Sequence, residues 1–264
     1  MCPPLGKLGG LVEGKMVCHC LLVETNDGLM LVDTGLGTGD IDDPKGRLGG
    51  GFVAVAGPVL RREETALAQI ERLGFKARDV RHLIPTHLDL DHAGGLSDFP
   101  EATVHIYAKE HDAAITPRTL AEKERYRRAH FAHQPKWRVL ETDGEAFFGF
   151  DSVRALGGTG EEVLLVPLTG HTRGHCGVAV RAGDGWRLHA GDAYFFHGEV
   201  HGEPRTSAWA LTMFQRFAEI DRKTRLSNQA RLRELSREHG SEVRVFSAHC
   251  PIELERERSA ASTA

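Results

Sequence analysis

Residues 86–95, THLDLDHAGG, limit what this chain can fold into more than any other stretch. Four side chains able to bind a metal ion, His87, Asp89, Asp91 and His92, follow the apolar run HLIPT. Imidazole and carboxylate groups are ligands of zinc, iron and manganese in proteins. A solvated acidic turn could carry the same residues, so a metal site requires further ligands from distant segments.

Three later stretches supply such ligands, each at the end of an apolar, strand-like run. VPLTGH ends in His171, LHAGD ends in Asp192 and VFSAH ends in His249. Together with the first motif they make four histidines and three aspartates. This set is large enough for two adjacent metal ions with one carboxylate between them.

The rest of the chain alternates between strand and helix patterns. The runs VCHCLLVET and LMLVDTG flank the turn NDG, which predicts a β-hairpin and favours a strand over a zinc finger at Cys18-His-Cys20. Helices are predicted in RREETALAQIERLGF, WALTMFQRFAEI and TRLSNQARLRELSREHG, the first ending at Gly74 and the last at Gly240. This alternation, in two halves, predicts an α/β fold with sheets between helical layers.

Composition narrows the class of protein. With 264 residues, 41% of them hydrophobic, the chain is expected to form a single domain, 1–264. The 33 Lys and Arg do not exceed the 37 Asp and Glu, so we expect a small-molecule substrate, no nucleic acid and no membrane partner. A signal peptide and a membrane-length apolar run are absent from the sequence, and its five scattered cysteines fit reduced thiols, so we expect a cytoplasmic protein. The composition leaves open whether the protein forms an oligomer.

At these residues the sequence resembles the metallo-β-lactamase superfamily. The resemblance rests on Asp33 in LVDTG, the loop HLDLDHAGG, GHTRGH, GDA and His249, in the family's order. It implies a four-layer αββα sandwich, in which two mixed β-sheets carry helices on the outside. It also implies that Asp33 orients the metal loop without being a ligand. By position, the first metal ion would take His87, Asp89 and His171, the second would take Asp91, His92 and His249, and Asp192 would bridge them.

Asp89 departs from the commonest loop of the superfamily, His-x-His-x-Asp-His, which has a histidine at that place. The four positive charges of two divalent ions are balanced by the negative charges of three aspartates and one bridging hydroxide. A neutral histidine at position 89 would instead leave a net charge of +1. The carboxylate is expected to raise the pH at which hydroxide forms and to favour iron or manganese beside zinc. Flavodiiron oxidoreductases resemble this substitution, but this chain lacks their flavodoxin-like second domain.

The resemblance implies a metal-dependent hydrolase, in which a hydroxide bridging two metal ions attacks the carbonyl of a small ester, lactone or thioester. The loop, followed by Ala-Gly-Gly, resembles the N-acyl homoserine lactonases most. Asp91 and Tyr194 are the candidate catalytic residues, and a core tyrosine is the alternative for Tyr194. The other functions considered are a diiron oxidoreductase of the flavodiiron type, a nuclease of the same superfamily and a metal-binding scaffold.

Two further questions stay open at the level of sequence. His175 lies four residues after His171 and is expected to support the loop, while His189, His197 and His201 are weaker candidates for contact with substrate or metal. The polar, basic segment 112–140 is either a solvated helical face or a cover that contributes substrate contacts.

Overall fold

The computed structural model describes residues 16–141, 145–156, 162–183, 185–202, 207 and 209–261. These residues divide into two compact units, 1–140 and 141–264, each with its own sheet and core. The expectation of a single domain stays a prediction. Within the described ranges, no helix is both long and apolar enough to span a membrane.

The first unit contains a five-stranded mixed sheet in the order β1-β2-β3-β4-β5. β1 and β2 form the predicted hairpin, with Thr25 paired to Gly28, and the other neighbours pair in parallel. The strands are Leu21–Thr25, Gly28–Val32, Val80–Ile84, Thr103–Tyr107 and Lys136–Leu140. The α-helices, α1 to α7, are Thr38–Asp42, Pro44–Arg47, Gly50–Ala56, Ala66–Arg72, Leu90–Ala93, Ala108–Ile115 and Leu120–Arg125, and 3₁₀ turns lie at Arg62–Glu64, Ala77–Asp79, Gly94–Asp98 and Arg128–His130.

Parallel pairing of β2 and β3 brings two chain ends to the same edge of this sheet. Val32 lies beside Ile84 in the register, so the residues that follow the two strands, Asp33 and Thr86, come together. In β2 the residues 29–32 are all apolar and buried, and alternate residues of the strands share one core. This core contains Leu31, Leu83, Val104, Ile106 and Leu88, among others.

The second unit contains a six-stranded mixed sheet in the order β11-β10-β9-β8-β7-β6. β10 and β11 pair in parallel, with His189 beside Phe246, so Asp192 and His249 follow strands that end at the same edge. The strands are Glu145–Phe147, Phe150–Leu156, Val163–Pro167, Cys176–Ala182, Gly185–His189 and Val243–Phe246. The helices, α8 to α10, are Trp209–Ala218, Arg222–Glu238 and Pro251–Ala261, with a 3₁₀ turn at His197–Glu199.

Several elements differ from the sequence expectation. The strand predicted from Val17 begins only at Leu21, so Cys18 and Cys20 precede it. β5, inside the polar segment 112–140, was expected to be helical, and β6, β7, β9 and α10 were not predicted. Cys20, Cys176 and Cys250 are thiols as expected, whereas Cys18 is disulfide-bonded.

Candidate metal centre

The first half of the candidate ligand set lies in the loop between β3 and α5. His87 and His92 are buried and their rings lie 4.0 Å apart between centroids. Each ring has an aspartate beside it, because Asp89 Oδ2 lies 3.3 Å from His87 Nε2 and Asp91 Oδ1 lies 3.9 Å from His92 Nε2. All four side chains offer a donor atom to a candidate metal-ion group. The loop therefore presents two imidazole and carboxylate pairs.

Asp33 orients this loop, as the resemblance implies. Its Oδ1 accepts the backbone N–H of Thr86 at 2.7 Å, and its Oδ2 lies 2.8 Å from His92 Nδ1. Since an ionised carboxylate only accepts, His92 carries its proton on Nδ1, which directs the Nε2 lone pair toward Asp91. Asp33 holds this position with a φ of 55°, a left-handed conformation that aspartate adopts more readily than most residues.

Arg125 is a supporting residue that the sequence reasoning missed. Arg125, the last residue of α7, forms a two-pronged ion pair with Asp89, in which Nε donates to Oδ1 and Nη2 donates to Oδ2 at 2.6 Å. Burial alone would lower the pKa of Arg125, but the negative charge of Asp89 raises it above its usual value. The guanidinium thus stays charged, and the polar segment 112–140 contacts the metal loop.

Glu110 makes a second link between that segment and the loop. Its buried carboxylate accepts the backbone N–H of Leu88 at 2.9 Å and the hydroxyl of Tyr126 at 3.1 Å. Leu88 separates His87 from Asp89 in sequence. The backbone between these two predicted ligands is therefore fixed by a charged hydrogen bond as well as by the apolar core.

Gly94 and Gly95 end the loop in a tight approach to the strand edge. A side chain at Gly94 would collide with the carboxylate of Asp40, and one at Gly95 would lie 2.9 Å from the carbonyl oxygen of Thr34. Asp40 is fully buried and accepts hydrogen bonds from Arg47 Nε at 2.8 Å and His130 Nε2 at 2.9 Å. The glycines allow this polar cluster to pack directly behind the loop.

The second half of the candidate ligand set lies in the other unit, around Asp192. Asp192 Oδ2 lies 3.3 Å from His171 Nε2, and Asp192 Oδ1 lies 3.0 Å from His249 Nε2. All three side chains are buried, and each offers a donor atom to a candidate metal-ion group. Asp192 Oδ2 also lies 3.2 Å from His249 Nε2, so the carboxylate lies between the two imidazoles.

His175 supports Asp192, as expected. Its Nδ1 lies 2.8 Å from the carbonyl oxygen of Leu168, so Nδ1 carries the proton, and its Nε2 accepts the backbone N–H of Asp192 at 2.9 Å. Both ring nitrogens therefore form hydrogen bonds with the protein backbone. The ring fixes the backbone that carries the aspartate.

The three weaker histidine candidates contact groups other than the predicted ligands. His189 Nδ1 accepts the N–H of Gly191 at 3.3 Å, and His197 Nδ1 lies 3.5 Å from the sulfur of Cys250. His201 Nε2 lies 3.1 Å from Glu253 Oε1. Within the described part of the chain, none of the three histidines belongs to a candidate metal-ion group.

Tyr194 occupies the apolar core of the second unit. Its side chain is fully buried, and its hydroxyl donates to Glu253 Oε1 at 2.9 Å. Burial raises the pKa of Tyr194 well above its usual value, and the charge of Glu253 raises it further. This geometry supports the core alternative for Tyr194, and its catalytic role stays a prediction.

The aromatic ring beside the ligands is that of the next residue, Phe195. Its centroid lies 4.7 Å from that of His249 and 6.1 Å from that of His171. The backbone N–H of Phe195 donates to Glu199 Oε2 at 2.9 Å, which holds the turn after Asp192.

Cys20 is a thiol close to Asp33. Burial raises the pKa of its thiol to about 12, and the nearby Asp33 contributes to this shift. A thiol with that pKa is protonated at neutral pH, whereas metal ions bind the thiolate. The preference against a zinc finger at Cys18-His-Cys20 stays a prediction, because the strand on which it rested begins only at Leu21.

Comparison with known proteins places these observations in a family. Residues 14–234 match the metallo-β-lactamase superfamily. A probable metallo-hydrolase of Mycobacterium bovis is 46% identical over 236 residues, which cover 89% of this chain and 75% of the relative. An N-acyl homoserine lactonase of Azorhizobium caulinodans is 30% identical over 161 residues, which cover 61% of this chain and 58% of the relative.

Solved structures confirm the predicted fold class. An N-acyl homoserine lactone hydrolase with the product N-hexanoyl-L-homoserine at its catalytic metal center superposes with a TM-score of 0.68 and 23% identity, covering 98% of this chain and 91% of that one. At that identity the likeness establishes the fold. Together with the family match and the metallo-hydrolase relative, it shows that this chain belongs to the metallo-β-lactamase superfamily and is a metallo-hydrolase of that fold.

Proposed function

We propose that the seven candidate ligands hold two divalent metal ions. The first takes His87, Asp89 and His171, the second takes Asp91, His92 and His249, and Asp192 serves both. The observation that carries the proposal is Asp192, whose two oxygens lie 3.3 Å from His171 and 3.0 Å from His249. The two imidazole and carboxylate pairs of residues 87–92 match it with one pair for each ion.

The chemistry of the residues fits such ions. Buried imidazoles and carboxylates at close range have few stable arrangements without a cation, because the burial of unpaired carboxylates is costly. The Nδ1 proton of His92 on Asp33 leaves Nε2 as the ligand atom, as in many metal sites with a carboxylate behind a histidine. When bound, the ions would lower the pKa of a water molecule and polarise a substrate carbonyl.

We infer that the substrate is a small ester, lactone or thioester, with a lactone preferred, and that its carbonyl group is the point of attack. The relative from Azorhizobium caulinodans named N-acyl homoserine lactonase supports this preference, since it is 30% identical to this chain over the matched range. The residues of this chain would orient the reacting groups. The ring of Phe195 would shield one side of His249 and His171 from water, and Asp33 and His175 would hold the ligand geometry.

The native metal and the location belong to the same proposal. Zinc is the first candidate, and the oxygen-rich first position with Asp89 also accepts iron or manganese. We place the protein in the cytoplasm, with a small molecule as its partner and with neither nucleic acid nor membrane.

Metal content followed by a substrate panel tests the proposal. The purified full-length protein should carry about two metal ions per chain, lose hydrolysis of lactones, esters or thioesters on chelation, and regain it with zinc, manganese or iron. A metal stoichiometry well below one with full activity would contradict it. Oxygen or nitric oxide reduction, or nucleic-acid cleavage, without hydrolysis of any member of the panel would support the diiron or nuclease alternative instead.

A further inference from the structure

The pairing of Asp89 with Arg125 bears on the unusual carboxylate in the loop. A carboxylate at position 89 removes one positive charge relative to the commonest loop of the superfamily. Arg125 restores one positive charge at the same place, because its Nε and Nη2 donate hydrogen bonds to the two oxygens of Asp89. The total charge of the loop, Arg125, the bridging carboxylate, the hydroxide and the two ions is then the same as with a neutral histidine at position 89.

Besides this ion pair, Asp89 offers an oxygen atom to a candidate metal-ion group that includes His87. A two-pronged guanidinium uses one lone pair on each carboxylate oxygen, and each oxygen has a second. Asp89 Oδ2 lies 3.3 Å from His87 Nε2, on the side of the other predicted ligand of the first ion. Arg125 therefore fixes the orientation of the carboxylate with Oδ2 toward His87.

Both members of the pair are mostly shielded from water. The side chains of Arg125 and Asp89 are 17% and 15% exposed. An exposed ion pair contributes little to stability, whereas removal of one partner of a shielded pair leaves a poorly solvated charge. A change at one residue is thus expected to depend strongly on the identity of the other.

We propose that Asp89 and Arg125 act as one unit that replaces a histidine of the metal site, with Arg125 as the positioning residue for the carboxylate. The metal part of this inference rests on the proposed function above. The coupling of the two residues in metal-free protein does not.

A double-mutant cycle tests the unit. The full-length variants are Asp89→His, Arg125→Met, and the two combined, since methionine keeps much of the apolar stem of arginine without its charge. The matched control is Arg118→Met, because Arg118 pairs with Asp112 in the same segment but is 69% exposed. The two readouts are the melting temperature of metal-free protein and the zinc affinity, measured by competition with a chelator.

Each single variant should melt roughly 5–10 °C below the wild type, and the double variant should lose less than half of the sum. The zinc affinity of one site should fall by roughly ten- to a hundredfold in each single variant and recover to within about threefold in the double variant. The Arg118→Met control should change neither quantity. Additive melting losses, or a double variant that binds zinc no better than Asp89→His, would overturn the proposal.

Arg125→Lys separates positioning from charge and guards against a variant that fails to fold. Lysine keeps the charge but lacks the two-pronged geometry, so zinc affinity should stay below that of the wild type. Full wild-type affinity in Arg125→Lys would overturn the positioning role. If the wild type binds no zinc, the proposed function fails, while the melting cycle still decides whether the two residues act as a unit.

Discussion

The two halves of the candidate ligand set, one in each unit, are held in different ways. In residues 87–92 the ligands are nearly consecutive, and charged side chains hold them, namely Asp33, Glu110 and Arg125. Around Asp192 the ligands come from three separate segments, held by a neutral histidine and by backbone hydrogen bonds, such as Ala248 N–H to the carbonyl oxygen of Gly191 at 3.1 Å.

This difference follows from the spacing of the ligands along the chain. Four ligands lie within one short loop, so they do not each follow a separate strand that would fix the backbone. Three of the side chains that support them are charged. The ligands of the second half follow strand ends, where the sheet already sets the backbone. The loop is therefore expected to be the more sensitive half to any change of charge.

The largest expected effect is that of Asp192→Asn, which removes a ligand predicted for both ions. Turnover should fall by roughly a thousandfold or more, and metal content should fall at both positions, while Asp91→Asn should affect one position. Metal analysis and kinetics of the two variants measure this, with the exposed Asp151→Asn as control. Metal content that stays near two in Asp192→Asn would show that the halves do not share this ligand.

The next effect compares charged and neutral support. Asp33→Asn keeps a residue that tolerates the left-handed backbone but loses a charge-assisted bond, so metal affinity should fall by roughly ten- to a hundredfold. His175→Gln removes only neutral hydrogen bonds and should cost less than about tenfold. Competition titrations with zinc measure both variants. A larger loss in His175→Gln would reverse the ranking of the two halves.

Tyr194→Phe is expected to change stability more than activity. The lost hydrogen bond to the buried Glu253 carboxylate should cost about 1.5–3 kcal/mol of the free energy of unfolding, with turnover within about twofold of the wild type. Denaturant titration and kinetics on the best substrate measure the two quantities. A tenfold or greater fall in turnover with intact metal content would restore the catalytic role for Tyr194.

The smallest effect concerns His82, which lies outside both halves and serves as a baseline. Burial lowers its pKa below 6.5, and the hydrogen bond to Asp27 only partly opposes this. The unfolded chain then binds the proton more readily, so the contribution of His82 to stability is present above about pH 6.5 and is lost as the pH falls below it. His82→Asn should reduce the fall in melting temperature between pH 7.5 and 5.5 by about 1–2 °C. An unchanged fall would show that His82 titrates alike in both states.

The sequence was sufficient for the parts of the molecule that local patterns determine. The hairpin before Asp33, the helix that ends near Gly74 and the strands before His87 and Asp192 follow from alternation, turn residues and caps. β5, inside a polar segment, has exposed or half-buried residues, so its composition hid the strand.

Arg125 escaped the sequence analysis for a different reason. Its pairing with Asp89 spans 36 residues and depends on tertiary structure. The available signal was a carboxylate at a place usually held by a histidine, followed by a basic segment that could supply a compensating cation. For Tyr194, the spacing of two residues predicted the same side as Asp192 on the assumption that the strand continued. In the structure β10 ends at His189, and the ring of Tyr194 lies in the core.

The two glycines after the loop set a limit on loop exchange between members of the superfamily. Any graft that brings a different loop onto this scaffold must keep position 94 without a side chain, because Asp40 occupies the space. The ligands themselves can be varied one at a time, but the loop can be transplanted only together with α1, which carries Asp40. The unit of exchange is consequently larger than the metal-binding motif.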